Sequence, residues 1–359
     1  MYQDCDDLDF PFPPKYIHCI RYGPKISITL FILIVFHPIV YWSYTNVYYR
    51  KYTSKYQKYT IDTKFASTID IIMKNQTLVI GGTGTIGSSV IELLKENNVD
   101  FKVMVRNEEK SEELKAKGLS TVIGTLGGEQ SLSDVLVDVH TIFLLTSSSP
   151  SLFDQHKSLI DHAVEAGVRK IVRLSALPAE TNPHVPMYSL HRKADDYLVA
   201  SGLEYVILRP SYFLQNFLFS APYIKGNNMF AAYFGNTKVP MVDTRDIAQA
   251  AYVGLTSNDV NNTIQTITGE KSISFTDVAE VMSKQLGKTV NYVPLSYEDQ
   301  KAGFIAAGVD EWTVDSSLQL IKEWGEVAEH LPSHDFEKMT GAAPKSIEEF
   351  VSDFTPYFQ

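Results

Sequence analysis

The feature that most constrains this chain is the stretch Thr77-Leu78-Val79-Ile80-Gly81-Gly82-Thr83-Gly84-Thr85-Ile86-Gly87. A short β-branched, apolar run breaks at a glycine-rich turn and resumes as an amphipathic stretch with Val90, Ile91, Leu93 and Leu94 apolar. Gly81, Gly84 and Gly87 give GxxGxxG spacing, and Gly82, Gly84 and Gly87 also satisfy GxGxxG. The first glycine allows a tight turn, the second lets a pyrophosphate approach the backbone, and the third lets helix and strand pack closely. The anion then rests on unpaired amides at the positive end of the helix. A lone glycine pattern carries little; this one follows a strand, opens a helix and starts a βαβ unit, which points strongly to a dinucleotide site, the alternative being a plain tight turn. Ser88 and Ser89 follow Gly87 where a phosphate-loop NTPase needs Gly-Lys-Ser/Thr, so that class is excluded.

Beyond the loop the pattern keeps alternating. Strands are expected at Phe101 to Val105, Thr121 to Ile123, Thr141 to Leu145, Lys170 to Leu174 and Tyr205 to Leu208. Helices are expected at Gly87 to Asn97, Glu108 to Lys117, after Ser131, Phe153 to Ala166 and Ser189 to Ala200. Strands joined by helical crossovers imply a Rossmann-type α/β fold, a doubly wound parallel sheet covered on both faces. Past Arg209 the regularity loosens: Pro240-Met241-Val242 and Thr263 to Thr268 read as further strands, each followed by a helix. Ser274 to Asp277 and Ser346 to Glu349 read as capping boxes opening helices. The organisation expected is an atypical extension over 1–72, a dinucleotide-binding domain over 73–225, and a smaller mixed substrate lobe over 226–359, partly interleaved with the sheet. Such a lobe belongs over the carboxyl ends of the strands, where these folds bind ligands.

The first 72 residues differ in composition from the rest. They hold ten of the 20 tyrosines, both cysteines (Cys5 and Cys19), and an apolar run from Ile26 to Trp42 interrupted by His37 and Pro38. That run is shorter than the roughly 20 residues of a membrane span. Arg50, Lys51, Lys55 and Lys58 follow it, which as a membrane anchor would leave the body facing the cytosol. The other reading is an over-extended start, since Met73 opens directly onto the first strand. A cleaved signal peptide fits neither the Asp- and Pro-rich lead nor the missing small-residue cleavage site. The body has no cysteine, which removes disulfides, thiolate zinc sites and cysteine nucleophiles and fits a cytoplasmic protein. Its 24 basic against 36 acidic residues offer no broad positive field, so no nucleic-acid partner is expected.

The end of the second strand bears on coenzyme choice. NAD-preferring sites place Asp or Glu there; this chain has Val105-Arg106-Asn107-Glu108-Glu109-Lys110. Arg106, about 20 residues past Gly87, can pair with a 2′-phosphate, and Lys110 one turn later can add a second charge. NADP(H) is expected over NAD(H). The alternative is a solvated helix lysine and a loop arginine.

With these residues in hand, the body from Met73 to Phe358 resembles the NmrA-like family of atypical short-chain dehydrogenases. The resemblance rests on Val79 to Gly87, Val105-Arg106-Asn107, Ser201 to Pro210, Phe213-Leu214-Gln215-Asn216, Val242 to Ala248 and Thr266 to Gly269. It implies NADP(H) or NAD(H) binding, with some members reducing quinones or azo compounds and others sensing nucleotides without turnover. It also implies that Gly81, Thr83, Gly84, Thr85, Ile86 and Gly87 contact the pyrophosphate, Arg106 and Lys110 the 2′-phosphate, and Leu145, Thr146 and Ser147 a ribose. Gly124-Thr125-Leu126 stands where relatives often carry Gly-Asp-Leu, so one adenine contact is altered. The Tyr-x-x-x-Lys pair of short-chain dehydrogenases is missing: Met187 falls at the Tyr position and His191 at the Lys position, while Ser175 keeps the usual Ser. Tyr188 is adjacent but would point roughly 100° away within a helix.

Without a tuned tyrosine to protonate an alkoxide, the acceptors that suit the site are electron-poor: quinones, azo compounds or conjugated carbonyls. The expected function is an NADPH-dependent reductase of such small electrophiles, with His191 as a proton-donating or positioning residue. A structural His191 bonded to the backbone or to Asp195 stays open beside it. Tyr212, Phe213 and Asn216 are expected to shape the substrate pocket, or the two aromatics to be core. The alternative function is a redox-sensing NADP(H) binder acting through a protein partner. Asp246 reads as a cap for the helix after Asp243. His330 and His334 flank Pro332, which breaks a shared helical face, so no metal site is expected. No Gly-x-Ser-x-Gly elbow supports a hydrolase.

Overall fold

The structure, a computed structural model, describes residues 76–127 and 132–359, together with the backbone of 18–22 and 25–29. The chain divides into two compact units, Met1–Ala66 and Ser67–Gln359. In the first, strands His18–Tyr22 and Lys25–Thr29 pair antiparallel. Most of the apolar run expected as an anchor, and the junction at Met73, lie outside the described residues. Among the described residues, no helix is long and apolar enough to cross a membrane.

The second unit carries a seven-stranded parallel sheet. Its strands are β1 (Gln76–Ile80), β2 (Phe101–Val105), β3 (Thr121–Ile123), β4 (Val139–Leu144), β5 (Lys170–Leu174), β6 (Glu204–Pro210) and, after the strand β7 (Met229–Ala232), β8 (Thr263–Ile267). The order across the sheet is β8-β6-β5-β4-β1-β2-β3, and every pairing is parallel. The order reverses between β1 and β4, and at that switch point the loops leaving the two strands diverge to opposite faces and open a crevice.

The sheet is apolar on both faces because its strands alternate between two covers. Val79 of β1 and Phe143 of β4 pack with α1 (Thr85–Glu96) on one side. Leu78, Ile80, Ile142 and Leu144 pack on the other, with residues of α3 (Leu132–Val135), α4 (Leu152–Glu165) and α6 (Pro186–Ala200). Helix α2 (Glu108–Ala116) joins β2 to β3, and a single turn, α5 (Pro178–Thr181), precedes α6. The first cover is completed from far along the sequence. Helix α8 (Thr244–Thr256), which follows the short α7 (Ala221–Asn227), packs beside α1 and adds Ile247, Ala248 and Ala251 to the same core. At Gly254 an added Cβ would lie 3.2 Å from Val172 Cγ1, so a small residue sets how closely α8 approaches β5.

The remaining chain forms a lobe with its own core. It comprises β7 paired in parallel with β9 (Asn291–Pro294), and helices α9 (Phe275–Leu286), α10 (Tyr297–Ala306) and α11 (Glu311–Gly325), then, after α12 (Asp335–Thr340), which instead packs Phe336 and Met339 into the sheet core beside α8 and β8, helices α13 (Ile347–Asp353) and α14 (Thr355–Phe358). Phe217, Phe230, Phe234, Phe275, Trp324 and Phe350 fill that core. Ser274 and Ser346 form full capping boxes with Asp277 and Glu349, as the sequence predicts. Pro240 to Val242 is not a strand. It runs as single bridges, Val239 to Ile273 and Phe213 to Val242, because proline offers no amide and Met241 N donates back to Val239 O. Asp243, rather than Asp246, caps α8, accepting from the Arg245 amide; the Asp246 carboxylate accepts from the Lys345 amide at 2.8 Å.

Candidate active site

The loop between β1 and α1 has the shape its glycines require. Gly81 sits at φ +82°, and a Cβ there would meet Leu145 O at 2.4 Å. At Gly87 a Cβ would lie 2.1 Å from Gly81 O and 2.7 Å from Gly82 Cα, so the helix start and the loop are in direct backbone contact. Gly84 is different. It is exposed, and an added Cβ would find only Gly81 O, at 3.6 Å. Gly84 is also the helix N-cap and has no side chain to bond the first turn, which holds no acidic residue. The amides of Thr85, Ile86 and Gly87 have no backbone acceptor among the described residues. An open cradle with three orphan donors at a helix N-terminus fits a diphosphate. Thr83 and Thr85 are exposed beside it, while the Ile86 side chain is in the core.

At the end of β2, Arg106 is exposed and makes no ion pair among the described residues. Lys110 is turned away to Glu113, 2.5 Å distant, in a solvent-exposed pair. Such pairs are worth about 0–1 kcal/mol, so the ammonium can be recruited at small cost. Asn107 caps α2 through the Lys110 amide. Gly124 is packed tightly, with a Cβ there meeting Val135 Cγ2 at 2.8 Å.

Leu145, Thr146 and Ser147 leave β4 directly beside the glycine loop, with Leu145 N donating to Ile80 O. Behind them lies a buried polar network. Arg173 of β5 and Asp195 of α6 are wholly buried and ion-paired, and Asp195 Oδ2 also accepts from Ser175 Oγ at 2.9 Å and from Arg209 Nε at 3.0 Å. Arg209 in turn reaches Glu180 at the protein surface. Two arginines therefore share one fully buried carboxylate, with the second carboxylate half-solvated. Arg173 also donates to two imidazoles: Nε to His156 Nδ1 at 3.0 Å, and Nη2 to His191 Nδ1 at 3.3 Å. The far ring nitrogens contact hydroxyls of the β4 loop, His156 Nε2 with Thr146 Oγ1 at 2.8 Å and His191 Nε2 with Ser148 Oγ at 3.2 Å.

This placement changes the reading of His191. Burial, then the neighbouring Arg173 charge, hold its pKa down to about 3, so it carries no second proton near neutrality. Burial first, and then the Arg173 charge, depress His156 well below the usual imidazole range too. His191 meets Arg173 rather than the backbone or Asp195, and its ring faces the β4 loop. The imidazolium needed for a strong proton donor does not form there.

Beside the network, at the carboxyl ends of β5 and β6, is a cavity of about 490 Å³. Tyr212, Phe213 and Asn216 all line it, together with Ser175, Tyr188, Phe217, Phe230, Phe234, Phe275 and Trp324. Tyr212 belongs to wall and core at once: its ring lies 5.3 Å from Phe234 and 5.7 Å from Phe275, and burial pushes its phenol up to about 12. Tyr188, offset from Met187 around the helix as the sequence implies, lines the cavity as well. Helix α6 begins at Pro186, so Met187 turns into the core and Tyr188 turns to the cavity, its phenol held firmly protonated by burial. Pro186 at the helix start was the available signal. His330 stacks on Trp324 and His334 pairs with Glu337 at 3.4 Å, so the two imidazoles serve different partners. Among the described residues no cluster of metal-ligating side chains occurs.

A crevice at the β1/β4 switch point, a glycine cradle and an adjoining aromatic cavity define a dinucleotide-binding α/β protein with an adjacent ligand site. The profile of the NmrA-like family matches residues 73–351, and the chain belongs to that family. It is 32% identical over 243 residues to an NAD(P)H azoreductase of Xenophilus azovorans, spanning 68% of this chain and 85% of the relative. Identity to quinone oxidoreductase 2 of Escherichia coli (strain K12) is 29% over 240 residues, covering 66% and 84%. Among solved structures, an Escherichia coli NADPH-dependent quinone oxidoreductase complexed with NADPH superposes with a TM-score of 0.70 at 27% identity, over 78% of this chain and 99% of that one.

Proposed function

We propose that the protein is an NADPH-dependent reductase of small, planar, electron-poor substrates such as quinones or azo compounds. The observation that carries this is the aromatic cavity at the carboxyl ends of β5 and β6, beside a glycine cradle that leaves three helix amides open. When bound, NADPH supplies a hydride to the acceptor, and water supplies the balancing proton. The chain's own residues do the rest. Thr85, Ile86 and Gly87 amides hold the diphosphate, and Arg106 with Lys110 holds the 2′-phosphate. Tyr212, Phe213 and the other rings of the wall stack on a flat acceptor and exclude water, while Asn216 orients it. His191, neutral and buried, is a positioning residue in this scheme, not the proton source. That limits turnover to acceptors that take hydride without a strong acid.

A cavity walled for a flat ligand favours turnover over the redox-sensing alternative. The same reading keeps the protein with the cytosolic coenzyme pool, its partner a small molecule rather than nucleic acid. The full chain should be titrated with NADPH and NADH by calorimetry and then offered a panel of benzoquinones, naphthoquinones and azo dyes at 340 nm. Tighter NADPH than NADH binding, with coenzyme oxidation by at least one acceptor, is expected. Tight binding without oxidation across the panel rejects the reductase reading.

A further inference from the structure

Arginine has only donors, and that single fact orders the whole polar network behind the β4 loop. Arg173 Nε and Nη2 both point at Nδ1 atoms, of His156 at 3.0 Å and His191 at 3.3 Å. Each Nδ1 must therefore accept, which places the ring proton of each neutral imidazole on Nε2. Each Nε2–H then donates to a hydroxyl oxygen, of Thr146 and of Ser148. A hydroxyl that accepts from behind keeps its own proton for another partner. Thr146 and Ser148 are both half-buried, on the loop that leaves β4 beside Gly81, where the sheet order reverses.

We propose that Arg173 is a positioning residue that fixes the donor direction of two hydroxyls, so that Thr146 and Ser148 present their protons to acceptor oxygens on the nicotinamide half of the coenzyme. This rests on the coenzyme reading above and extends it to three residues, Ser148, His156 and Arg173, that sequence patterns did not single out. Asp195, shared with Arg209 and Ser175, holds the guanidinium in an orientation that serves both rings. Burial beside Arg173 supports the scheme, since both imidazoles stay neutral through the working pH range.

The tautomers are read directly in the unliganded full chain by nitrogen-15 imidazole shifts of His156 and His191 between pH 5 and 9. Both rings are expected as the Nε2–H form throughout; an Nδ1–H form or an imidazolium in either overturns the proposal. Calorimetry with NADPH then tests the hydroxyls. Thr146→Val, close in shape, is expected to weaken binding roughly 3- to 15-fold, and Thr146→Ser to restore it to within about twofold. Ser148→Ala is expected to act in the same direction. Unchanged affinity in both Thr146→Val and Ser148→Ala overturns the proposal while leaving the coenzyme reading standing. No NADPH binding by the unmodified chain removes that reading and this proposal together.

Discussion

Two alanine substitutions three residues apart separate the architecture of the glycine cradle from its function. At Gly87 a Cβ would sit 2.1 Å from Gly81 O, against an ordinary contact of about 3.4 Å, so α1 and the loop must part by about 1 Å. Alanine gains about 1 kcal/mol of helix propensity over glycine, but overpacking of this kind costs about 1–3 kcal/mol or more. Gly87→Ala is therefore expected to lower Tm by several degrees, at roughly 2–4 °C per kcal/mol, and to abolish tight NADPH binding because the amides move with the helix start. At Gly84 the backbone is extended, with φ −86°, and the Cβ has only one neighbour, at 3.6 Å. Gly84→Ala should lower Tm by only about 1–3 °C, since the site is open and exposed and the change costs only the preference of an N-cap for glycine over alanine, about 0.5–1 kcal/mol. Yet its methyl occupies the face where the diphosphate would rest, so NADPH affinity should drop at least about tenfold, or about 1.4 kcal/mol. Differential scanning calorimetry and titration calorimetry on the same preparations give both numbers. NADPH binding by Gly84→Ala at full strength would refute the cradle, and an unchanged Gly87→Ala would refute the close packing.

Three further outcomes follow from the same geometry. Arg106→Glu should weaken NADPH binding about tenfold or more while leaving NADH little affected, and equal loss for both coenzymes removes the 2′-phosphate role. Asp195→Asn strips the charge from a carboxylate shared by two buried arginines and should cost about 3–5 kcal/mol, read as a denaturation midpoint; a shift under 1 kcal/mol contradicts the network as drawn. Burial, with the Asp243 charge added, raises the Asp246 carboxyl from its ordinary value near 4 to about 7. Folding thus favours its protonated form, and that contribution is full below about pH 4 and lost as pH rises through about 7. Asp246→Asn should flatten the fall in Tm over that window and stabilise the protein at pH 8 by on the order of 1–3 kcal/mol; a curve parallel to the parent's contradicts the assignment.

The doubly wound sheet was legible because its signals are local: β-branched runs of four or five residues, helical periodicity between them, and a glycine turn with few alternative uses. Phe101–Val105, Thr121–Ile123 and Lys170–Leu174 emerged with the boundaries the sequence suggests. Helix α6 started three residues earlier than its apolar pattern implied, since Pro186 supplies the first turn, so Met187 and Tyr188 are helical and Tyr188 lines the cavity. Pro240 to Val242 looked like a strand by composition, but an amide-free residue left it single bridges instead. The Arg173 network was the least legible part. Its partners are 17 to 22 residues away, and only the sheet topology brings them together. One cue was present: an arginine inside a parallel strand buried along its whole length demands a counter-charge. The composition supplied the demand without naming Asp195.

The measurement closest to the central claim is the amide spectrum of the nitrogen-15-labelled full chain as NADPH is added. The account expects the largest shifts, saturating together, at Thr85, Ile86 and Gly87, whose N–H groups find no backbone acceptor among the described residues. Saturable binding that leaves those three amides unmoved would contradict it.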